Sequence, residues 1–373
     1  MKIGMLEFLY HHIFLYSLAI VAKESGADVT IFTTKKLYNL VIPLFKDKIK
    51  NYRWVIKRED ESRTSFLKRV EGIVNKEIDL LFINTIQGNL CFQSITFRPK
   101  CKNILVTGRV EEWLGNKYKP NTFRPRGFIG YNMRYFSRKI ILRRFNNLLV
   151  HTESLKNYVV KKGYKKEVFV FPFTIYNGDV KLKVDFRRIK FIVLGAVDET
   201  RRDYILILKI FEKIFKCKNK NIELVLLGRT MGNYGKKIIE YSQQLQKRGV
   251  NIKFYNKYVP EDVYYKETIS SDIIINPIRL EKYPHGGYTA GMVDAIRYGK
   301  PGIYPNGYIV EKRLISSSMF YRDNDDLYHL IKKIINNKIF LENLVIKAKE
   351  NSEKFSLENM TKYFRENILE KFN

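Results

Sequence analysis

The residues with the most chemistry in one place lie between Glu281 and Pro301, in the run Glu-Lys-Tyr-Pro-His-Gly-Gly-Tyr-Thr-Ala-Gly-Met-Val-Asp-Ala-Ile-Arg-Tyr-Gly-Lys-Pro. Here the titratable side chains of Glu281, His285 and Asp294 alternate with the turn formers Gly286, Gly287 and Gly291. Just upstream, Asp272 to Pro277 reads Asp-Ile-Ile-Ile-Asn-Pro, a β-branched run stopped by proline, so a buried strand ends there and a loop follows. Glycines let a backbone approach a ligand closely, and Thr289 is placed to cap a helix from about Ala290 to Tyr298. A helix that opens behind a glycine loop offers unpaired N–H groups and the positive end of its dipole to an anion, most simply a phosphate. The same spacing also suits a plain strand–loop–helix connection with structural glycines.

Three further places carry candidate chemistry. After Leu194 comes Gly195-Ala-Val-Asp-Glu-Thr-Arg-Arg-Asp203, in which Thr200 or Asp203 can cap the next helix and Arg201 and Arg202 stand just before it. Guanidinium groups there would bind a diphosphate in bidentate fashion and offset charge on a departing phosphate, unless they are simply surface arginines in a loop. After Leu227 comes Gly228-Arg-Thr-Met-Gly232, a loop that also admits close approach. Near the start of the chain, His11 and His12 follow the first apolar strand. An imidazole with a pKa near neutrality suits removal of a proton from a hydroxyl, and Glu7 and Glu111 are lesser candidates of the same kind.

The elements that must position these groups follow from hydrophobic periodicity. Lys2 to Leu6 reads as a strand, Ile13 to Ser25 as a helix closed by Gly26, and Asp28 to Thr33 as a second strand, a βαβ unit whose crossover demands a parallel sheet. Asp79–Asn84, Asn103–Thr107, Asn147–His151 and Glu167–Phe171 continue the pattern as short buried strands. Residues 1–173 therefore read as one doubly wound α/β domain. Periodicity fails over 174–185, which reads as a linker, and a second alternating series fills 186–354. Its strands are Lys190–Leu194, Glu223–Leu227, Asn251–Tyr255 and Ile273–Asn276, and its helices include Tyr204–Phe215, Lys236–Arg248 and Glu261–Ile269. A last helix falls within 355–373. Two such domains in succession predict a ligand site in a cleft between them, outside the strand carboxyl ends.

Composition narrows the class. At 373 residues and 45% apolar content the chain can bury two cores. Its longest apolar run, Ile13 to Ala22, is too short to span a bilayer, and no cleavable leader is evident, so a cytoplasmic protein is expected. Cys91, Cys101 and Cys217 are odd in number and without metal-type spacing, so reduced, structural cysteines are expected. The formal charge of +30 admits a non-catalytic nucleic-acid binder, but an AT-biased coding sequence rich in Lys, Asn, Ile, Tyr and Phe gives the same charge. The excess of bases concentrates between Lys117 and Lys190. There Arg134 to Phe145 alternates bases with large apolar residues at helical spacing, which fits either a helix on an anionic membrane face or a solvated helix with its stripe on the core.

The order of these motifs resembles the C-terminal domain of GT-B glycosyltransferases, in particular the group-1 family that transfers sugars from nucleotide diphosphosugars. The matching features are Gly195 with a basic pair before the helix, Leu-Leu-Gly228, Val259-Pro-Glu-Asp262 before a helix, and Ser271-Asp272 before a strand ending Asn276-Pro277. The acid-Ala-x-x-x-Gly-Lys-Pro signature from Asp294 to Pro301 and Phe355-Ser356 ahead of the last helix complete the set. The resemblance covers most of residues 147–373 and only the strand order of residues 1–110.

It implies two Rossmann-like doubly wound domains facing across a cleft, with the C-terminal helix returning to the first. It also implies metal-independent transfer of a sugar from a nucleoside diphosphate sugar, such as a UDP- or GDP-sugar, to a saccharide or lipid-linked acceptor, with no further cofactor. Arg201, Arg202, Gly286, Gly287, Tyr288 and Thr289 would hold the donor diphosphate, and Asp294, Gly195, Gly228, Tyr258 and Val259 the nucleoside. His11, His12, Glu281 and His285 are the catalytic candidates.

Group-1 enzymes carry a Glu-x7-Glu pair; here the second acid is Asp294 and Gly286 stands eight residues earlier. His285-Gly-Gly287 is instead similar to the His-Gly-Gly loop of inverting enzymes, so retention and inversion both stay open. A sugar-nucleotide epimerase of the same fold is the alternative activity. No nucleic-acid partner is expected, because the phosphate-site residues fall at strand ends, which net charge does not explain.

Overall fold

The computed structural model describes residues 1–9, 11–84, 96–108, 110–114, 125–178, 184–216 and 222–372, with the side chains of 111, 112 and 125–134 outside that description. Cys91 and Cys217 fall outside it, and Cys101 is a free thiol. The chain divides into two compact units, Met1–Thr174 with Leu357–Asn373 and Ile175–Ser356.

Unit 1 contains β1 (Lys2–Glu7), α1 (His12–Glu24), β2 (Asp28–Thr33), α2 (Lys35–Phe45), β3 (Arg53–Ile56), α3 (Arg63–Glu77), β4 (Leu80–Ile83) and β5 (Lys102–Val106). It continues through α4 (Val110–Leu114), α5 (Pro125–Arg144), β6 (Asn147–Val150), α6 (Glu153–Lys161) and β7 (Val168–Val170). The strands form a parallel seven-stranded sheet in the order β3-β2-β1-β4-β5-β6-β7. Parallel strands covered on both faces read as continuous apolar runs, which is why Leu80–Ile83 and Leu148–Val150 are wholly buried.

Unit 2 contains β8 (Ile189–Leu194), α7 (Tyr204–Lys216), β9 (Ile222–Leu227), α8 (Gly232–Lys247), β10 (Ile252–Phe254), α9 (Glu261–Ser270) and β11 (Ile273–Ile275). Then come α10 (Ala290–Tyr298), β12 (Gly302–Pro305), β13 (Ser318–Tyr321), α11 (Asn324–Asn336) and α12 (Lys338–Glu353). Its six-stranded parallel sheet runs β10-β9-β8-β11-β12-β13. Residues 175–177 are tied to this unit, since Tyr176 N donates to Phe355 O and Asn177 N to Arg297 O. The last helix, α13 (Leu357–Asn367), belongs to unit 1, where Phe364 is fully buried against Phe82 and Phe171.

In both sheets the chain starts in the middle, winds to one edge, and returns to build the other half. The crossovers part between β1 and β4 in unit 1 and between β8 and β11 in unit 2, and at such switch points an open α/β sheet leaves room for a ligand. No helix among the described residues is long and apolar enough to cross a membrane.

Candidate functional site

In unit 2 the sequence candidates gather at the carboxyl ends of β8, β9 and β11. The backbone after β8 turns sharply at Gly195, whose φ of +99° lies in the region that favours glycine. Its carbonyl accepts the Tyr204 hydroxyl at 2.7 Å and its N–H donates to Leu227 O at 3.0 Å. Gly228 lies so close that a Cβ there would sit 1.9 Å from the Gly195 carbonyl oxygen. Asp203 caps α7 by accepting Leu206 N at 3.0 Å, while Thr200 bonds Asp198 instead.

The two arginines differ in setting. Arg202 is only 5% exposed, and its guanidinium lies over Gly195, where a Cβ would come within 2.7 Å of Nη2. Its Nη1 donates to Ala196 O at 3.3 Å. Arg201 is half-exposed, with Nε 3.5 Å from Asp198 Oδ2. Burial pushes the Asp198 carboxyl up, but the Thr200 hydroxyl and amide and the two arginine charges outweigh it and hold the pKa below the usual carboxylate range. Such a half-exposed ion pair holds by less than about 1 kcal/mol, so Arg201 is free to swing to a stronger anion, whereas Arg202 is set in place beforehand.

Across the switch point stands the start of α10. Thr289 caps it as expected, accepting Met292 N at 3.1 Å. The Thr289 hydroxyl also donates to Asn276 Oδ1 at 3.4 Å, and a Cβ on Gly291 would lie 1.8 Å from that same oxygen. Asn276, just after β11, is 3% exposed and its Nδ2 has no hydrogen-bond partner among the described residues. An orphaned amide donor in such a place costs about 1–3 kcal/mol, which points to a ligand that satisfies it. The sequence reading used this asparagine only as a strand end. The signal available was a polar residue before proline at the close of a strand of three isoleucines.

The loop before the helix is braced from one side. Gly286 has φ +73° and packs on Ile309, its N–H donates to Tyr283 O at 3.3 Å, and the Tyr308 hydroxyl donates to Gly287 O at 2.8 Å. Tyr308 is buried and stacked on Tyr304 at 5.4 Å, and burial raises its pKa well above the ordinary range, so it remains a donor. Glu281 lies exposed in the short turn Leu280–Lys282, and His285 is half-buried. Val259 is buried, Tyr258 is 60% exposed, and both sit just ahead of α9. Asp294 is 5% exposed on α10 and accepts the Tyr264 hydroxyl at 2.5 Å.

In unit 1, His11 is the cap residue of α1 and His12 its first residue. The His11 side chain is 42% exposed, with Nδ1 3.8 Å from Glu7 Oε2 and its ring edge-on to Phe173 at 5.5 Å. Glu7 is fully buried at the end of β1, where Leu9 N donates to its Oε1 at 2.8 Å. His151, which closes the strand Asn147–His151 in the sequence, is buried beside them between Phe14 and Phe173. Burial drives its pKa down to about 3, against the opposing hydrogen bond to Phe171 O and with a further push from His11. The side chain of Glu111 lies outside the described residues. Among the described residues no group of three or more His, Cys, Asp or Glu side chains is placed to hold a metal ion.

No protein-family model matches the chain, and no curated protein sequence matches it significantly. Solved structures do. Sucrose-phosphate synthase from Thermosynechococcus elongatus is similar over 100% of this chain and 99% of its own, with TM-score 0.65 and 13% identity. A glycosyltransferase from Rickettsia africae ESF-5 is similar over 100% of this chain and 97% of its own, with TM-score 0.66 and 12% identity. Anabaena HepE, solved in complex with UDP and glucose, is similar over 99% of this chain and 100% of its own, with TM-score 0.59 and 14% identity. With two parallel sheets of these strand orders and end-to-end likeness to such proteins, the chain has the GT-B fold.

Proposed function

We propose that the protein is a glycosyltransferase that moves a sugar from a nucleoside diphosphate sugar to a saccharide or lipid-linked acceptor, with unit 2 as the donor-binding unit. The observation that carries the reading is the pairing at the unit 2 switch point. A buried arginine, Arg202, is fixed over Gly195, and the capped start of α10 with the unsatisfied Asn276 amide stands at the end of the adjacent strand. Arginine and helix N–H groups together suit a diphosphate, and charge that builds on the leaving nucleoside diphosphate would be met by Arg202, Arg201 and the dipole of α10. The fixed Arg202, with the mobile Arg201 and the helix dipole, can do the work a divalent ion does elsewhere, which is why transfer is proposed to be metal-independent.

Support comes from the fold, and from the similar HepE having been solved with UDP and glucose. In this reading His11, His12, Glu281 and His285 remain the catalytic candidates. The half-exposed His11 ring lies 3.8 Å from the buried Glu7 carboxyl, which makes it the first candidate for a base in unit 1.

The test is a transfer assay with UDP-glucose, UDP-galactose, UDP-N-acetylglucosamine and GDP-mannose against octyl glycosides, run with and without EDTA. Release of nucleoside diphosphate that requires an acceptor, survives EDTA and falls about a hundredfold or more in Arg202→Ala is the expected result. Conversion of the sugar nucleotide without any acceptor would instead identify an epimerase. Loss of activity on chelation would overturn the metal independence.

A further inference from the structure

The basic and apolar stretch from Arg134 to Phe145 plays no part in the donor site, and the structure shows which of its faces is left to solvent. Ile141 and Leu142 on α5, with Phe145 just after it, are buried in the core of unit 1, so the apolar stripe packs inward. The opposite face keeps one large apolar side chain outside. Phe136 is 60% exposed, and Lys139 and Arg143 follow it on the same exposed face at helical spacing. The Lys139 ammonium lies 4.6 Å from the centre of the Tyr135 ring, which packs edge-on to Phe136, so base and aromatics form one patch.

More bases gather at the end of this helix. The Lys166 ammonium donates to the carbonyls of Leu142, Arg143 and Phe145 at 3.4, 2.9 and 2.5 Å, which ties the loop carrying Lys165 to the end of α5. The Arg144 pKa is lowered first by burial and then by the charge of Arg98, so two guanidinium groups stand close together. Glu71 accepts the Arg98 N–H at 2.8 Å and Glu167 follows Lys166 in the chain, yet Lys139, Arg143 and Lys165 form no ion pair among the described residues.

Like charges gathered in this way repel one another, and an anionic surface relieves the repulsion. Nucleic acid and an anionic bilayer both carry such charge, and Phe136 separates them. Single strands are held in grooves on which successive bases stack, whereas Phe136 stands on the outward face of a helix. A bilayer interface takes a large apolar side chain at the headgroup boundary, with bases around it meeting lipid phosphates.

We propose that this face of unit 1, Phe136 with Lys139, Arg143 and Lys165, docks the protein on an anionic lipid bilayer, the phenylalanine entering the headgroup region. Such docking is independent of the donor site in unit 2, and it is read by binding rather than by turnover.

Co-sedimentation of the full-length protein with vesicles of phosphatidylcholine alone, and of phosphatidylcholine with about one third phosphatidylglycerol, tests it. Binding is expected to the anionic vesicles only, and should weaken about tenfold or more between about 50 and about 500 mM salt. Lys139→Ala combined with Arg143→Ala should weaken it about twentyfold, and Phe136→Ser about fivefold. All three side chains are exposed, and an unchanged melting temperature checks that the variants fold. Lys247→Ala combined with Lys347→Ala removes two exposed bases from unit 2 and should leave binding within about twofold. Equal binding to both vesicles, no binding to the anionic ones, or a Phe136→Ser protein that binds as the wild type does overturns the proposal. So does equal weakening by the unit 2 pair, which would reduce the effect to diffuse net charge. An oligonucleotide, single-stranded or duplex, bound more tightly than the anionic vesicles through Lys139 and Arg143 overturns it too, and would make the face a nucleic-acid surface.

Discussion

Gly228 and Gly291 have no room for a side chain, and the partner that fills the space differs at each. At Gly228 the obstacle is the backbone of Gly195; at Gly291 it is the side chain of Asn276. Gly228→Ala must push two strand ends apart and is expected to destabilise unit 2 by roughly 2–4 kcal/mol, read as a lower urea midpoint. Gly291→Ala displaces a side chain rather than backbone, so it should cost less stability and more nucleotide affinity. Equal losses of stability at the two positions would contradict this.

The sequence marks both glycines, but as sites of ligand approach, and their packing partners stand far away along the chain. The same distance hides Tyr264. Thirty residues separate it from Asp294, and a tyrosine in a helix reads as core until its hydroxyl is seen to have a partner. Arg201 and Arg202 look alike on paper, and only the folding of Gly195 beneath one of them makes Arg202 the fixed cation.

At the level of elements, α10 carries the site, and its beginning and end were both readable. Thr289 caps it, and Gly299, at φ +58°, closes it in the left-handed conformation. Thr289→Ala should lower stability by about 1 kcal/mol in thermal or urea unfolding, and Thr289→Ser should restore most of it. A neutral Thr289→Ala would show that the cap contributes nothing there.

Strands with uniform apolar runs, such as Ile273–Ile275 and Leu80–Ile83, are evident in the sequence because burial on both faces demands that composition. Strands β3, β12 and β13 are not. Arg53–Ile56 is short and starts with a charge. Gly302–Pro305 opens with a glycine and ends with a proline, both turn signals, and Ser318–Tyr321 follows a run of serines. Each becomes a strand because a parallel neighbour is already in place, as Gly302 against Ile274 shows. Tertiary pairing overrides local preference there.

Across the whole molecule, the alternating order of strands and helices announced two doubly wound units, and the strand orders bear it out. The +30 charge says less, because surface charge reports on partners and solubility rather than on fold.

A buried titratable group gives unit 1 a pH dependence. His151 is neutral in the folded state, with its pKa depressed to about 3, and takes up a proton near pH 6.5 once unfolded. The unfolded state then binds more protons at acid pH, so stability falls as pH drops from about 6.5 toward about 3, at up to about 1.4 kcal/mol per pH unit. Melting temperature followed from pH 7 to pH 4 should show this fall, and His151→Gln should flatten it. An equal slope in the variant would remove His151 as its cause.

Nucleotide binding by unit 2 is measured directly by calorimetric titration of wild-type and Arg202→Ala protein with UDP and GDP at two salt concentrations. Saturable one-to-one binding of one of them is predicted, weakened about a hundredfold by Arg202→Ala and only modestly by salt. No binding of either nucleotide, or binding that Arg202→Ala leaves unchanged, would contradict it.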